Sequence, residues 1–472
     1  MANPAGASPP APQVSPSATA PPGILSGPYR RVTLGVVGLI SLMAFEGMAV
    51  ATALPVAVAD LDGLDYYAWA FTAFAATMLW ATIASGESAD ALGPRTPLLL
   101  GVGAFVLGLL VAGLAPGMGV FVAGRAIQGL GAGAVIVAIY VVIGRRFPVE
   151  LQPRAFSALA AAWVVPAFVG PLVAGWLAEG PGWRWAFLAV PVLVAPGLWL
   201  IWPALAELGR PLDSFVARSG RRRLALAIAV GAVAIQYAGQ RLDLLGLILA
   251  AVGAVLLVRF LPRLLPAGTL RLAAGLPTGI ALRGVLAGAF FGIEAFVPLY
   301  LVSERGLSAT AAGLALTGGA IGWASGSWWQ GRSPGLQQRA HYVAIGSVAV
   351  ALSGVLMVLV TFPAIPVPIA HLSWLVAGLG MGLAMPSLSV VVLSLSKPDE
   401  QGANSASLQL TDALGAILTI AAGGVWFAAV FATMGATTFT AIFAAMSVLP
   451  ILAAVASRRL RVSGKHPERQ KQ

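Results

Sequence analysis

Two charged side chains stand inside long apolar runs. Glu46 lies near the middle of Val32 to Pro55, and Arg125 lies within the run 118–143. A helix crossing a bilayer takes ~20 apolar residues, and an ionisable group at its centre costs roughly 2.5–3.5 kcal/mol. Such a group needs a partner, a wet cavity or a task. Arginine keeps its proton in proteins, so Arg125 must find carboxylates, carbonyls or water. A carboxylate can give its proton up and take it back. Desolvation favours its neutral form and a nearby Arg its charged form, and a group balanced between them can release a proton when its surroundings change. Two more acids fall within later runs. Glu294 closes Phe290-Phe291-Gly292-Ile293-Glu294, and Asp412 shares a helical face with Ser405 and Gln409.

The composition says what holds these residues. Of the 472 residues, 58% are hydrophobic and 10% charged, with a mean hydropathy of +0.89. A soluble domain carries about 25% charged residues, so the chain reads as an all-α polytopic membrane protein. There is no Cys, which excludes disulfides, thiol chemistry and Cys-ligated metals, and the three His lack a metal-ligand spacing. The expectation is of no cofactor and no metal. The net charge of +11 is a topology signal rather than a nucleic-acid footprint, because basic residues collect in cytoplasmic loops.

Fourteen spans are expected, near 32–55, 66–85, 97–115, 118–143, 155–178, 185–204, 224–239, 242–261, 280–302, 308–330, 341–361, 368–396, 403–431 and 436–457. With both termini inside, 23 of the 28 Lys and Arg fall on the inner side. That distribution favours an even count. The expected organisation is a disordered cytoplasmic tail (1–31), a six-helix half (32–205), an inserted pair with basic linkers (206–279), a second six-helix half (280–457) and a basic tail (458–472). Pro266 to Thr278 reads either as a helix lying along the inner surface or as a plain basic loop. Glu46 and Glu294 each stand about fourteen residues past the inner end of a span, and each is followed by a proline, Pro55 and Pro298. That fits two repeated halves with a site between them at midplane.

Several motifs in order resemble the Major Facilitator Superfamily, and specifically its fourteen-span drug:proton antiporters. Arg125-Ala126-Ile127-Gln128-Gly129 is similar to the family's span-4 motif. Gly86-Glu87-Ser88-Ala89-Asp90-Ala91-Leu92-Gly93-Pro94-Arg95 is similar to its inner-loop motif. Gly170-Pro171-Leu172-Val173-Ala174-Gly175 is similar to its antiporter motif, and Trp183-Arg184-Trp185-Ala186-Phe187 opens span 6 in the family's manner. Ala53-Leu54-Pro55 closes a motif whose acidic residue stands nine positions earlier, at Glu46. The chain departs from the pattern at Ala91 and Pro94, where the family carries basic residues, at Pro166 and Ala174, where it carries glycines, and at Glu46, where Asp is usual.

The resemblance implies proton-coupled export of amphipathic small molecules by alternating access, in the plasma membrane, by a monomer. Protons, the cargo and the bilayer are the expected partners, and nucleic acid is not. Glu46, Arg125, Glu294 and Asp412 are the expected proton-coupling residues. Glu46, Glu294, Gln409, Asp412, Trp323 and Trp163 are expected to line the cavity, with Gly86, Asp90, Gly93 and Arg95 at an inner gate. Asp90, just past span 2, can face the positive N-terminal end of span 13 near Gly402 to Ser405. Trp328 and Trp329 are expected at the membrane interface. A lipid or glycolipid exporter and an uptake permease are the rival transport readings. A membrane-embedded enzyme would need a His, Asp or Cys constellation at a membrane face, and the sequence offers none.

Overall fold

In hydrocarbon each backbone N–H and C=O must be paired within the chain, so apolar runs of this length fold as helices. The computed structural model describes residues 23–148, 151–208, 220–238, 243–332, 335–397 and 400–460, and leaves a few side chains undescribed, among them those of Asp90 and 401–403. The helices are α1 (Gly27–Asp60), α2 (Tyr67–Leu92), α3 (Arg95–Gly113), α4 (Met118–Arg146), α5 (Gln152–Ala161), α6 (Val164–Leu177), α7 (Trp185–Leu188) and α8 (Val190–Glu207). They continue as α9 (Gly220–Ala238), α10 (Leu244–Leu264), α11 (Leu276–Ser303), α12 (Ala309–Gly331), α13 (Leu336–Val360), α14 (Pro368–Leu395), α15 (Gln401–Met434) and α16 (Thr437–Ala456).

One packing pattern occurs twice. α4 lies between α2 and α3, as α14 lies between α12 and α13; α1 packs on α6 and α8, as α11 packs on α15 and α16. Glycines allow the close approach. A Cβ on Gly129 would stand 2.2 Å from the Phe74 carbonyl oxygen of α2, and one on Gly131 would stand 2.3 Å from the Phe105 nitrogen of α3. Small residues of this kind let membrane helices touch backbone to backbone. α9 and α10 pack on each other, and α9 also lies along α2 and α15.

Two expectations change, and one open alternative is decided in favour of the loop. Among the described residues, twelve helices, not fourteen, are long and apolar enough to cross a membrane. α9 falls short because Arg221, Arg222 and Arg223 occupy its first turn, and α12 because its glycines, serines and threonines dilute its apolar content. The expected span 155–178 is two helices. Pro166 lacks the N–H that would bond the Ala162 carbonyl, so the helix stops and restarts at Val164. Ser41 of α1 donates to that freed carbonyl instead, at 2.9 Å. Finally, Pro266 to Thr278 forms no surface helix. Gly268, Leu272 and Gly275 have φ of 87°, 52° and 86°, and only a single 3₁₀ turn forms at Thr269–Arg271.

Candidate functional site

The span-4 arginine finds its carboxylate. Arg125 of α4 donates through one terminal nitrogen to Glu46 Oε1 of α1 and to Gln128 Oε1, the latter at 3.0 Å. Gln128 Nε2 donates to the same Glu46 oxygen at 3.0 Å. Arg125 Nε donates to the Ala70 carbonyl of α2 at 3.0 Å, and its guanidinium lies 4.4 Å from the Phe74 ring centroid. Glu46 and Gln128 are 0% exposed and Arg125 is 3% exposed. Helical spacing puts Arg125 and Gln128 on one face of α4, and the glycines beside them bring α2 near enough to supply Ala70 and Phe74. One atom is left over: Glu46 Oε2 is buried without a hydrogen-bond partner among the described residues. Both bonds to the carboxylate thus fall on Oε1, and Oε2 can take a proton without displacing either.

Asp412 has a partner that the sequence reading did not assign. Arg283 of α11 pairs with it, its Nε 3.3 Å from Asp412 Oδ1 and its Nη2 3.3 Å from Oδ2. Arg283 also donates to the Met385 carbonyl and to Ser389 Oγ of α14, both at 3.1 Å. This pair is partly exposed and longer than the Glu46 pair. Its signal in the sequence was an arginine within a span, but 129 residues separate the partners. Glu294 is half-buried, and no hydrogen bond or ion pair reaches it among the described residues. One turn earlier on α11, Phe290 stacks on Trp374 at 4.9 Å and meets Trp323 of α12 edge-on at 5.4 Å. Among the described residues, no hydrogen bond or ion pair joins Glu46, Glu294 and Asp412 to one another.

The other expected residues scatter. Trp163 is exposed at the break between α5 and α6, and Gln409 is exposed on α15. Gly93 ends α2 at φ 78°, while Val137 lies 3.9 Å from where Gly86 would carry a Cβ. Arg95 lies 5.2 Å from the Trp202 ring centroid of α8. The expectation that Asp90 faces the start of α15 falls on side chains outside the described residues.

The antiporter-motif residues lie where the two runs of helices meet. A Cβ on Gly175 would stand 2.5 Å from Thr310 Cα of α12, one on Gly313 would stand 3.0 Å from the Pro171 carbonyl oxygen, and Gly170 faces Met48 of α1. In the turn after α6, Glu179 accepts from the Thr310 backbone amide at 2.6 Å, which caps the positive end of α12. The sequence reading missed Glu179. Tyr67 of α2 donates to the Ala295 carbonyl of α11 at 2.5 Å. The end of the bundle where α1 finishes and α12 begins is thus closed.

The sequence profile of the Major Facilitator Superfamily matches residues 36–419, and the chain belongs to that superfamily of transporters. It is 30% identical over 435 residues to an uncharacterised MFS-type transporter of Mycobacterium tuberculosis, covering 89% of this chain and 63% of that protein. This chain therefore spans less than two thirds of that relative. It is 26% identical to the multidrug transporter protein MdtP of Bacillus subtilis, over 82% of this chain and 74% of that one. A probable multidrug-efflux transporter of M. tuberculosis is 28% identical over 81% and 84% of the two chains. Among solved structures, a POT family transporter in complex with 5-aminolevulinic acid aligns with a TM-score of 0.68 at 16% identity, over 93% of this chain and 98% of that one. The human organic anion transporter MFSD10 aligns with a TM-score of 0.59 at 16% identity, over 92% and 100%. These two likenesses concern the fold.

Proposed function

We propose that this chain is a proton-coupled exporter of amphipathic small molecules, a drug:proton antiporter of the fourteen-span type. The observation that carries the reading is the buried Glu46–Arg125–Gln128 cluster with its unpartnered Oε2. In this reading Glu46 binds the coupled proton at Oε2. Gln128 and the Ala70 carbonyl hold Arg125 in place while the charge on Glu46 comes and goes. Substrate entry or a change of access swaps the protonated for the ionised state. Relatives named as multidrug transporters support small, chemically varied cargo. Glu294, beside the Phe290, Trp323 and Trp374 rings, offers a carboxylate and aromatic faces to a cationic, apolar cargo.

The closed end supports alternating access. With the basic loops and both termini in the cytoplasm, the closed end faces outward, and this conformation is loaded from the inside. Residues 32–205 and 280–457 rock against each other, and 206–279 supplies the inserted pair. α12 packs against α6 and α14, and α9 against α2 and α10; both cross the bilayer in this reading, completing fourteen spans. The protein works as a monomer in the plasma membrane. A reporter fused after Gln240 reads the outer face, and a cytoplasmic reading would contradict the fourteen-span count. Proteoliposomes test the activity: a pH gradient drives accumulation of lipophilic dyes and drugs by the parent protein and not by Glu46→Gln. Gradient-independent equilibration, or uptake in the direction of proton flow, would refute export by exchange.

A further inference from the structure

Gln236 of α9 is 0% exposed, and among the described residues neither its Nε2 nor its Oε1 has a hydrogen-bond partner. Buried amides are almost always paired, and each exception asks for an explanation. The surroundings supply one. Gln236 Nε2 stands 3.0 Å from where a Cβ on Gly424 of α15 would be, and that same point is 2.2 Å from Ala68 Cβ of α2. The inserted helix, α2 and α15 thus meet at one place, on the seam between the two repeated runs of helices. Two more unpartnered buried atoms lie on the same stretch of α2: Trp69 Nε1 and Thr72 Oγ1. The Trp69 ring meets the Tyr237 ring edge-on at 6.3 Å.

The four atoms are complementary in kind. Trp offers a donor alone, the amide one acceptor and a donor group, and the hydroxyl both. Gln236 Oε1 can accept from Trp69 Nε1, and Gln236 Nε2 can donate to Thr72 Oγ1. Neither bond is made with this end closed. We propose that Gln236 is a positioning residue of the transport cycle. It pairs with Trp69 and Thr72 only when α2 and α15 part, so the inserted pair lowers the energy of the opposite, open conformation. The proposal rests on the alternating-access reading above. It gives the inserted pair a role: α9 carries the polar group that the closed state leaves unsatisfied.

The chain has no Cys, so a single engineered thiol reports cleanly. Thr52 is buried at the closed end, its methyl 2.8 Å from the Cβ position of Gly313 on α12. Thr52→Cys should react with an impermeant maleimide only when that end opens. In the parent, labelling should change on adding a transported dye or a pH gradient; a parent that never responds would sink the alternating-access reading itself. With a responsive parent, Gln236→Leu should slow labelling several-fold, lower kcat and leave KM for the dye unchanged. It should also raise the melting temperature, because an unpaired amide is replaced by an apolar side chain of similar size. Trp69→Phe and Thr72→Val should slow labelling likewise, and each should add little in the Gln236→Leu background. The single α2 variants keep the test alive should Gln236→Leu misfold. Unchanged or faster labelling, or additive effects of the three substitutions, would overturn the proposal.

Discussion

Removing one partner of the Glu46–Arg125 pair and removing both should have opposite consequences. With Glu46→Leu, Arg125 keeps its charge at 3% exposure and retains only Gln128, the Ala70 carbonyl and the Phe74 ring. Leaving a buried charge without its counter-ion costs about 3–5 kcal/mol, a factor of roughly a hundred or more in the folded ratio. Arg125→Met strands the carboxylate instead, which can take up a proton; its cost is smaller, about 1–3 kcal/mol for the lost hydrogen bonds. The double variant has no buried ion, and apolar replacement of a whole buried pair is near neutral. The two changes should therefore couple by about 4 kcal/mol or more, the sum of the two single losses. Thermal and denaturant unfolding of the four purified proteins in one detergent measures that coupling. Additive losses, with the double variant the least stable, would refute the account of Arg125 as a charge held by Glu46.

Other expectations follow from single contacts. Gly129→Ala puts a Cβ 2.1 Å from Thr77 Oγ1 and 2.2 Å from the Phe74 carbonyl, so it should push α2 off α4 and cut the yield of folded protein, read by size-exclusion chromatography; normal yield would deny the backbone contact. Glu179→Ala removes one of two side-chain acceptors at the start of α12, leaving the N-cap Ser308 in place, a loss of about 0.5–1 kcal/mol. It should speed maleimide labelling of Thr52→Cys, and Glu179→Asp should restore part of the effect; an unchanged rate would leave Glu179 as a surface charge. Glu294→Gln should weaken binding of monovalent lipophilic cations and spare neutral cargo, measured by dye fluorescence titration; equal loss for both would remove Glu294 from charge recognition.

The sequence was most legible where one residue type had few options. Arg125 in an apolar run had to find carboxylates, carbonyls or water, and it finds the Glu46 carboxylate and the Ala70 carbonyl. The glycines at 129, 131 and 133 announced close helix contacts, and they meet α2 and α3. Pairings over long separations were not legible. Asp412 stood out without a partner, and only the packing of α11, α14 and α15 brings Arg283 to it. Pro166 was visible as a departure from the family's pattern, yet the break it makes depends on Ser41 from another helix to satisfy the freed carbonyl. The turn at 266–275 has apolar and basic residues spaced for a surface helix, and the left-handed backbone at Gly268, Leu272 and Gly275 overrides them. The expected count of fourteen departs from the structure at α9 and α12, where three arginines in one helix and many glycines and serines in the other lower the apolar content.

The claim on which the account turns is that Glu46 holds the coupled proton. Proton release on adding substrate to purified, weakly buffered protein tests it directly, followed with a pH dye at several starting pH values. Wild-type protein should release protons on adding a transported cationic dye. Glu46→Gln should bind the same dye and release none, while Glu46→Asp should release them as the parent does. Parent-like release from Glu46→Gln would place the proton at Glu294 or Asp412 and contradict the account.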